Sequence, residues 1–154
     1  MVDAGPILIH DLLSVCLKHL ERRLQGRDVR IVRQIDRTSP GIHGDRERLR
    51  EVVETILAEA AAATTDGGRI RVCLKHSRAA VMLSVKDQGP GLLPGERDTL
   101  LTDASRERCA DAPLSLYECL QRIRGMRGTL FVNSTPGKGS TFYATFPPPV
   151  PGSD

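Results

Sequence analysis

Asp87 is the residue of this chain best placed to recognise a ligand. It closes the run Val81-Met82-Leu83-Ser84-Val85-Lys86 and stands directly before Gln88-Gly89-Pro90-Gly91-Leu92. Val81, Leu83 and Val85 alternate with Met82, Ser84 and Lys86, the period of a strand with one face on a core. Two glycines around a proline let the backbone take positive φ and let a ligand come close. A carboxylate at that strand end can accept hydrogen bonds from a bound group. The same residues also make an ordinary hairpin turn capped by Asp, and the local pattern admits both readings.

The other reactive residue types are dispersed. Cys16, Cys73, Cys109 and Cys119 show no C-x-x-C spacing. That argues against a zinc site or a disulfide framework and predicts reduced thiols in a cytosolic protein. His19, His43 and His76 are isolated and read as solvated. The net charge is +3, but basic residues interleave with acids, as in Arg46-Glu47-Arg48 and Arg106-Glu107-Arg108. Aromatics make up only 3%. Both features predict a solvated surface and no nucleic-acid partner. No apolar run reaches bilayer length and the N-terminus lacks a secretory pattern, so no membrane partner is expected.

Positioning Asp87 requires a scaffold, and 154 residues with 40% apolar and 27% charged side chains are enough for one domain with its own core. A first helix is expected from a cap at His10 or Asp11 to about Leu24, with Leu13, Cys16, Leu17, Leu20 and Leu24 as its apolar stripe. Val29, Ile31 and Ile35 suggest a strand. Asp45 is a natural N-cap for a second helix whose stripe is Leu49, Val52, Val53, Ile56, Leu57 and Ala60. Strands follow over Arg69 to Lys75 and Val81 to Lys86. The segment from Leu92 to Pro113 has no sustained period and reads as a long mobile loop. A third helix is expected over roughly Leu114 to Met126, burying Leu116, Leu120 and Ile123. Strands Thr129 to Asn133 and Ser140 to Phe146 complete the order around the Pro136-Gly137-Lys138-Gly139 turn. The fold class is therefore α+β, a two-layer α/β sandwich with a mixed, mostly antiparallel sheet and three helices on one face. Residues 1–147 form the domain, and the four prolines in 148–154 and at Pro147 predict a disordered tail.

Three stretches in this order resemble the catalytic ATP-binding domain of histidine kinases, within the GHKL group that includes gyrase and MutL (the Bergerat fold). The stretch from Gly44 to Val53 is similar to that family's lead-in to its asparagine box. Val85-Lys86-Asp87-Gln88-Gly89-Pro90-Gly91-Leu92 matches its first glycine box, D-x-G-x-G, and Gly128 to Phe142 matches its closing hairpin. The resemblance covers about Ile7 to Pro147. It implies that Asp87 hydrogen-bonds an adenine amino group, that Gly89 and Gly91 let the backbone approach the base, and that Thr141 lies near the adenine. Leu92 to Ala112 would be the lid over the phosphates. ATP and Mg2+ are the implied cofactors, with a kinase or a response regulator as signalling partner in a phosphorelay.

Departures from the family fall on the groups that handle phosphate and metal. The asparagine box reads Thr55-Ile56-Leu57-Ala58-Glu59-Ala60, and its following basic position is Ala62. Thr55 and Glu59 are four apart and share a helix face. The resemblance makes both nucleotide-binding positions and makes Glu59 the metal ligand; a solvated Glu59 beside the apolar stripe is equally open. The second glycine box reads Pro113-Leu114-Ser115-Leu116, which puts Leu116 at the phosphate end without either glycine. His10-Asp11-Leu12-Leu13-Ser14 faintly resembles a phosphoacceptor box, but His10 reads as a local cap or surface residue. Three functions are in competition. The first is a divergent, weakly nucleotide-binding or pseudokinase module of two-component signalling. The second is an active ATP-dependent histidine kinase domain with Glu59 on the metal and Arg106 or Arg108 replacing the lost lysine. The third is a nucleotide-free docking module, marked by an Arg122 and Arg124 patch.

Overall fold

The chain is described by a computed structural model over residues 6–92, 95–96, 101–102 and 112–148. β1 (Pro6–Ile7) leads into α1 (Ile9–Arg23), then β2 (Arg30–Ile35), β3 (Ile42–His43) and α2 (Arg46–Ala63). β4 (Arg69–His76) and β5 (Val81–Lys86) follow, then α3 (Leu116–Gly125), β6 (Thr129–Thr135) and β7 (Gly139–Phe146). The expected long loop and the Pro-rich tail fall largely outside the described residues.

The main sheet has the order β2-β4-β5-β7-β6. β4, β5, β7 and β6 pair antiparallel, whereas β2 pairs parallel to β4. That single parallel pair follows from its connection. α2 lies between the two strands in sequence, and a helical crossover returns the chain to the end where β2 began. β1 and β3 form a separate two-residue ladder, Pro6 with His43 and Ile7 with Ile42. Neither short strand has enough residues to show a period, so neither is expected from the sequence.

Alternation along each strand decides which face is covered. Ile70, Val72 and Leu74 on β4, Val81, Leu83 and Val85 on β5, and Phe142, Ala144 and Phe146 on β7 are buried against the helices. α1 contributes Leu12, Leu13, Cys16, Leu17 and Leu20, and α2 contributes Leu49, Val52, Val53, Ile56, Leu57 and Ala60. Among the described residues, three helices on one side of a mixed sheet give the expected α+β sandwich. Cys16, Cys73 and Cys119 are free thiols buried in this structure. Burial pushes the Cys16 and Cys119 thiols up to about 12, so both behave as packing residues.

Helix ends differ in detail from their expected positions. α1 starts at Ile9 behind an uncapped Leu8, leaving His10 and Asp11 inside its first turn with His10 Nδ1 3.3 Å from Asp11 Oδ1. The chain arrives from β1, whose pairing with β3 fixes where the helix begins. α2 starts after Asp45, whose Oδ1 accepts from the backbone N–H groups of Glu47 and Arg48 at 3.0 and 3.3 Å. At its other end Arg27 donates to the carbonyls of Ala61 and Thr64, at 2.8 Å to the first, a cation on the negative end of the helix. Arg122 turns inward, donating to Glu51 Oε1 at 2.7 Å and to the Arg48 carbonyl at 3.1 Å. It therefore joins α3 to α2 and forms no outward patch with Arg124. No helix among the described residues is long and apolar enough to cross a membrane.

Candidate functional site

Asp87 leaves β5 with its side chain 2% exposed. Its Oδ1 accepts the backbone N–H of Gly89 and that of Ser140, each at 3.1 Å, and its own N–H donates to the Ser140 carbonyl at 2.9 Å. Both side-chain bonds fall on Oδ1, and among the described residues Oδ2 has no protein partner. Burial raises the carboxyl above the ordinary aspartate range, and the two N–H donors hold that rise back. The result is a buried carboxylate held in place through Oδ1.

The two glycines of the motif are needed for backbone approach. A Cβ on Gly89 would stand 2.4 Å from the Ala63 carbonyl oxygen at the end of α2. At Gly91, with φ +75°, it would stand 2.4 Å from the Thr135 carbonyl oxygen. These glycines wedge the turn between α2 and the β6–β7 hairpin, which also holds it through Gly137 N–H donating to the Pro90 carbonyl at 2.7 Å.

Ser140 belongs to this cluster and the sequence did not single it out. Its N–H fixes Asp87, and its Oγ lies 2.9 Å from Ser134 Oγ, which in turn accepts the N–H of Leu92 at 2.7 Å. Thr141 is opposite Lys86 in the β5–β7 register. Adjacent strand residues point to opposite faces, so Thr141 looks away from the helices while Ser140 lies on the Asp87 side. The signal available was the period of two itself: counted from buried Phe142, Ser140 faces inward and Thr141 outward.

The opposite end of the site is closed by the protein's own groups. Thr55 is fully buried (0% exposed). Its hydroxyl donates to the Glu51 carbonyl at 2.8 Å and accepts the N–H of Leu114 at 3.2 Å. Both capacities of the hydroxyl are therefore used inside the fold. Glu59 is half-buried one turn further on, and Ala62 is an exposed methyl where a cation would be useful to an anionic ligand. Leu116 is buried in the core as the first residue of α3. Ahead of it, Ser115 Oγ accepts the N–H of Glu118 at 3.1 Å, and Glu118 Oε1 accepts the N–H of Ser115 at 3.2 Å. This capping box places a carboxylate on the helix N-terminus. The S-x-x-E spacing that signals it is present in the sequence.

A family model described as "Histidine kinase-, DNA gyrase B-, and HSP90-like ATPase" matches residues 44–150. The chain belongs to this ATPase family. The chain is 31% identical over 144 residues to the adaptive-response sensory kinase SasA of Synechococcus sp. (strain JA-3-3Ab), covering 88% of this chain and 38% of that protein. The SasA of Thermosynechococcus vestitus is 33% identical over 113 residues, covering 70% and 30%. The chain thus spans well under half the length of these curated relatives. Among solved structures it is similar to the mycobacterial sensor histidine kinase MprB (TM-score 0.79, 23% identity, 96% of this chain and 99% of that one). It is also similar to the nucleotide-free catalytic domain of histidine kinase ThkA (TM-score 0.83, 17% identity, 94% and 95%). At those identities the structural likeness shows the fold, and the family match shows the membership.

Within that family frame the site has two unequal ends. The Asp87 end is built by backbone donors and glycine packing. At the Thr55–Ser115 end both hydroxyls and the N–H groups of Leu114, Ser115 and Glu118 are bonded within the fold. No group of three His, Cys, Asp or Glu side chains able to hold a metal forms among the described residues. A single carboxylate such as Glu59 fits a magnesium ion only in the usual manner, with phosphate oxygens and waters completing the shell. Arg106 and Arg108 lie outside the described residues.

Proposed function

We propose that this chain is a divergent ATP-binding domain that grips the base of an adenine nucleotide through Asp87 and holds the triphosphate weakly. In that capacity it serves two-component signalling as a pseudokinase-type module, meeting a kinase or a response regulator. One observation carries the proposal: Asp87 is preorganised through Oδ1 and its Oδ2 has no partner among the described residues, while Thr55, Leu114, Ser115 and Glu118 at the other end bond within the fold. An exocyclic amine donating to Oδ2 is the natural complement of that geometry. A triphosphate, in contrast, meets the Glu118 carboxylate at the α3 N-terminus, Glu59 on α2 and a methyl at Ala62. A like-charge pair at about 4 Å costs on the order of 4 kcal/mol at an effective dielectric near 20.

Two solved relatives suggest what the module could meet. ShkA has been solved full-length with AMPPNP, and ThkA with the response regulator TrrA. Glu59 would be the residue of this chain to hold magnesium, which when bound would neutralise phosphate charge. The test is a titration of the full chain with ATP, with and without magnesium, read by calorimetry alongside release of inorganic phosphate. Weak binding without turnover is expected. Hydrolysis or phosphotransfer at rates typical of a kinase would overturn the pseudokinase reading, and no binding at all would leave a docking module.

A further inference from the structure

The sheet has a second face that the nucleotide site does not use. The helices cover the side bearing Val72, Leu83 and Ala144. On the other side stand Arg30, Arg69, Arg71, Lys75 and Lys86, all exposed. None of the five strands contains Asp or Glu. Asp28, Asp36 and Asp66 lie in loops beyond the strand ends, and Asp36 and Asp66 face His76 and Arg27. The register sets Arg30 beside Arg69 and Arg71 opposite Lys86. Like charges directly opposed across strands are unfavourable. Among the described residues none of the five cations has an ion-pair partner to relieve this.

Three of the cations converge on a shaped site. Arg69, Arg71, Lys86 and Gln88 line a depression of about 100 Å³. Gln88 Oε1 accepts the N–H of Arg69 at 2.8 Å, which leaves its amide nitrogen as the donor. Every side chain lining the depression can therefore donate to an anion.

We infer that this face docks an acidic segment of a partner protein, laid extended along β4 with its carboxylates on Arg69, Arg71 and Lys86. Alternate residues of a strand are spaced by about 6.7 Å, and so are alternate carboxylates of an extended peptide. Arg offers each carboxylate a bidentate fork. A second copy of this chain does not fit, because two such faces repel. A nucleic-acid strand fits less well than an acidic peptide. Its affinity grows with the number of phosphates neutralised, and here three of the five cations line one small depression. Phe131 and Tyr143 stack on each other on this face, centroids 4.8 Å apart; Tyr143 pairs with Ser84, one diagonal step from Lys86, but β5 separates both rings from Arg69 and Arg71 on β4. The inference is independent of whether ATP binds.

The test is a fluorescence-anisotropy titration of the full chain with labelled decaglutamate at low and at physiological salt, beside a thymidine oligonucleotide of equal charge. Saturable peptide binding that weakens with salt is expected. Lys86→Glu and Arg71→Glu should each weaken it roughly fivefold or more, and Arg124→Glu on α3 should leave it unchanged. Lys86→Glu also places an acid opposite Arg71, so its Tm should be equal or higher, which separates lost docking from unfolding; Arg71→Glu gives the same readout from the other strand. Absence of saturable peptide binding, equal loss in Arg124→Glu, or tighter binding of the oligonucleotide would each overturn the inference.

Discussion

At the scale of single residues, the site depends on how Asp87 divides its two oxygens. Asp87→Asn keeps an oxygen to accept from Gly89 and Ser140 but presents an NH2 where Oδ2 was. Thermal stability should persist, while nucleotide affinity should fall about 10- to 100-fold, the worth of a hydrogen bond to a charged group; calorimetry with a melting curve separates the two. Because burial raises the folded-state pKa of Asp87, the folded chain binds a proton that the unfolded chain has already released. Its contribution to stability therefore declines as pH rises from the ordinary aspartate range through the raised value, and is constant below it. Asp87→Asn should flatten that part of a stability–pH curve. Glu59→Asn removes a charge from the phosphate end and should raise ATP affinity about tenfold or more if repulsion is the defect. An unchanged Kd would show that Glu59 does not repel the phosphates.

At the scale of elements, the sequence carried α2 well, because an Asp45 cap and a long apolar stripe agree on its position. It carried β5 for the same reason, since Val81, Leu83 and Val85 alternate cleanly and Asp87 ends the run. Elements set by long-range pairing were less legible. β1 and β3 exist because they pair with each other, and α1 begins at Ile9 because β1 delivers the chain there. The apolar pattern alone starts α3 at Leu114, ahead of the Ser115–Glu118 box that caps it. Resemblance to the family drew attention to Thr141, whereas the strand period puts Ser140 beside Asp87. Thr55 at the family's asparagine position could not show from sequence alone that its hydroxyl is consumed between Glu51 and Leu114. Thr55→Val should leave the buried Leu114 N–H unpaired and lower stability by about 1–3 kcal/mol in urea unfolding. Gly89→Ala forces a methyl against the Ala63 carbonyl and should cost about 1–3 kcal/mol, with nucleotide affinity falling as the Gly89 N–H moves off Asp87.

At the scale of the whole molecule, the helix-covered side of the sheet and its open side have separate work. The covered side fixes Asp87 between α2, the β5 turn and the β6–β7 hairpin, where the proposed function places the base. The open side gathers cations that have no ion-pair partner among the described residues. The functional proposal depends on one contrast, between Asp87, held through Oδ1 by the Gly89 and Ser140 N–H groups, and the Thr55–Ser115 end, whose hydroxyls are bonded within the fold. It is tested most directly by comparing the affinities of adenosine and magnesium-ATP for the same preparation by calorimetry. The base-dominated site predicts Kd values within about threefold of each other, less than 1 kcal/mol apart. Magnesium-ATP binding about 100-fold tighter than adenosine, or adenosine failing to bind where ATP does, would contradict it.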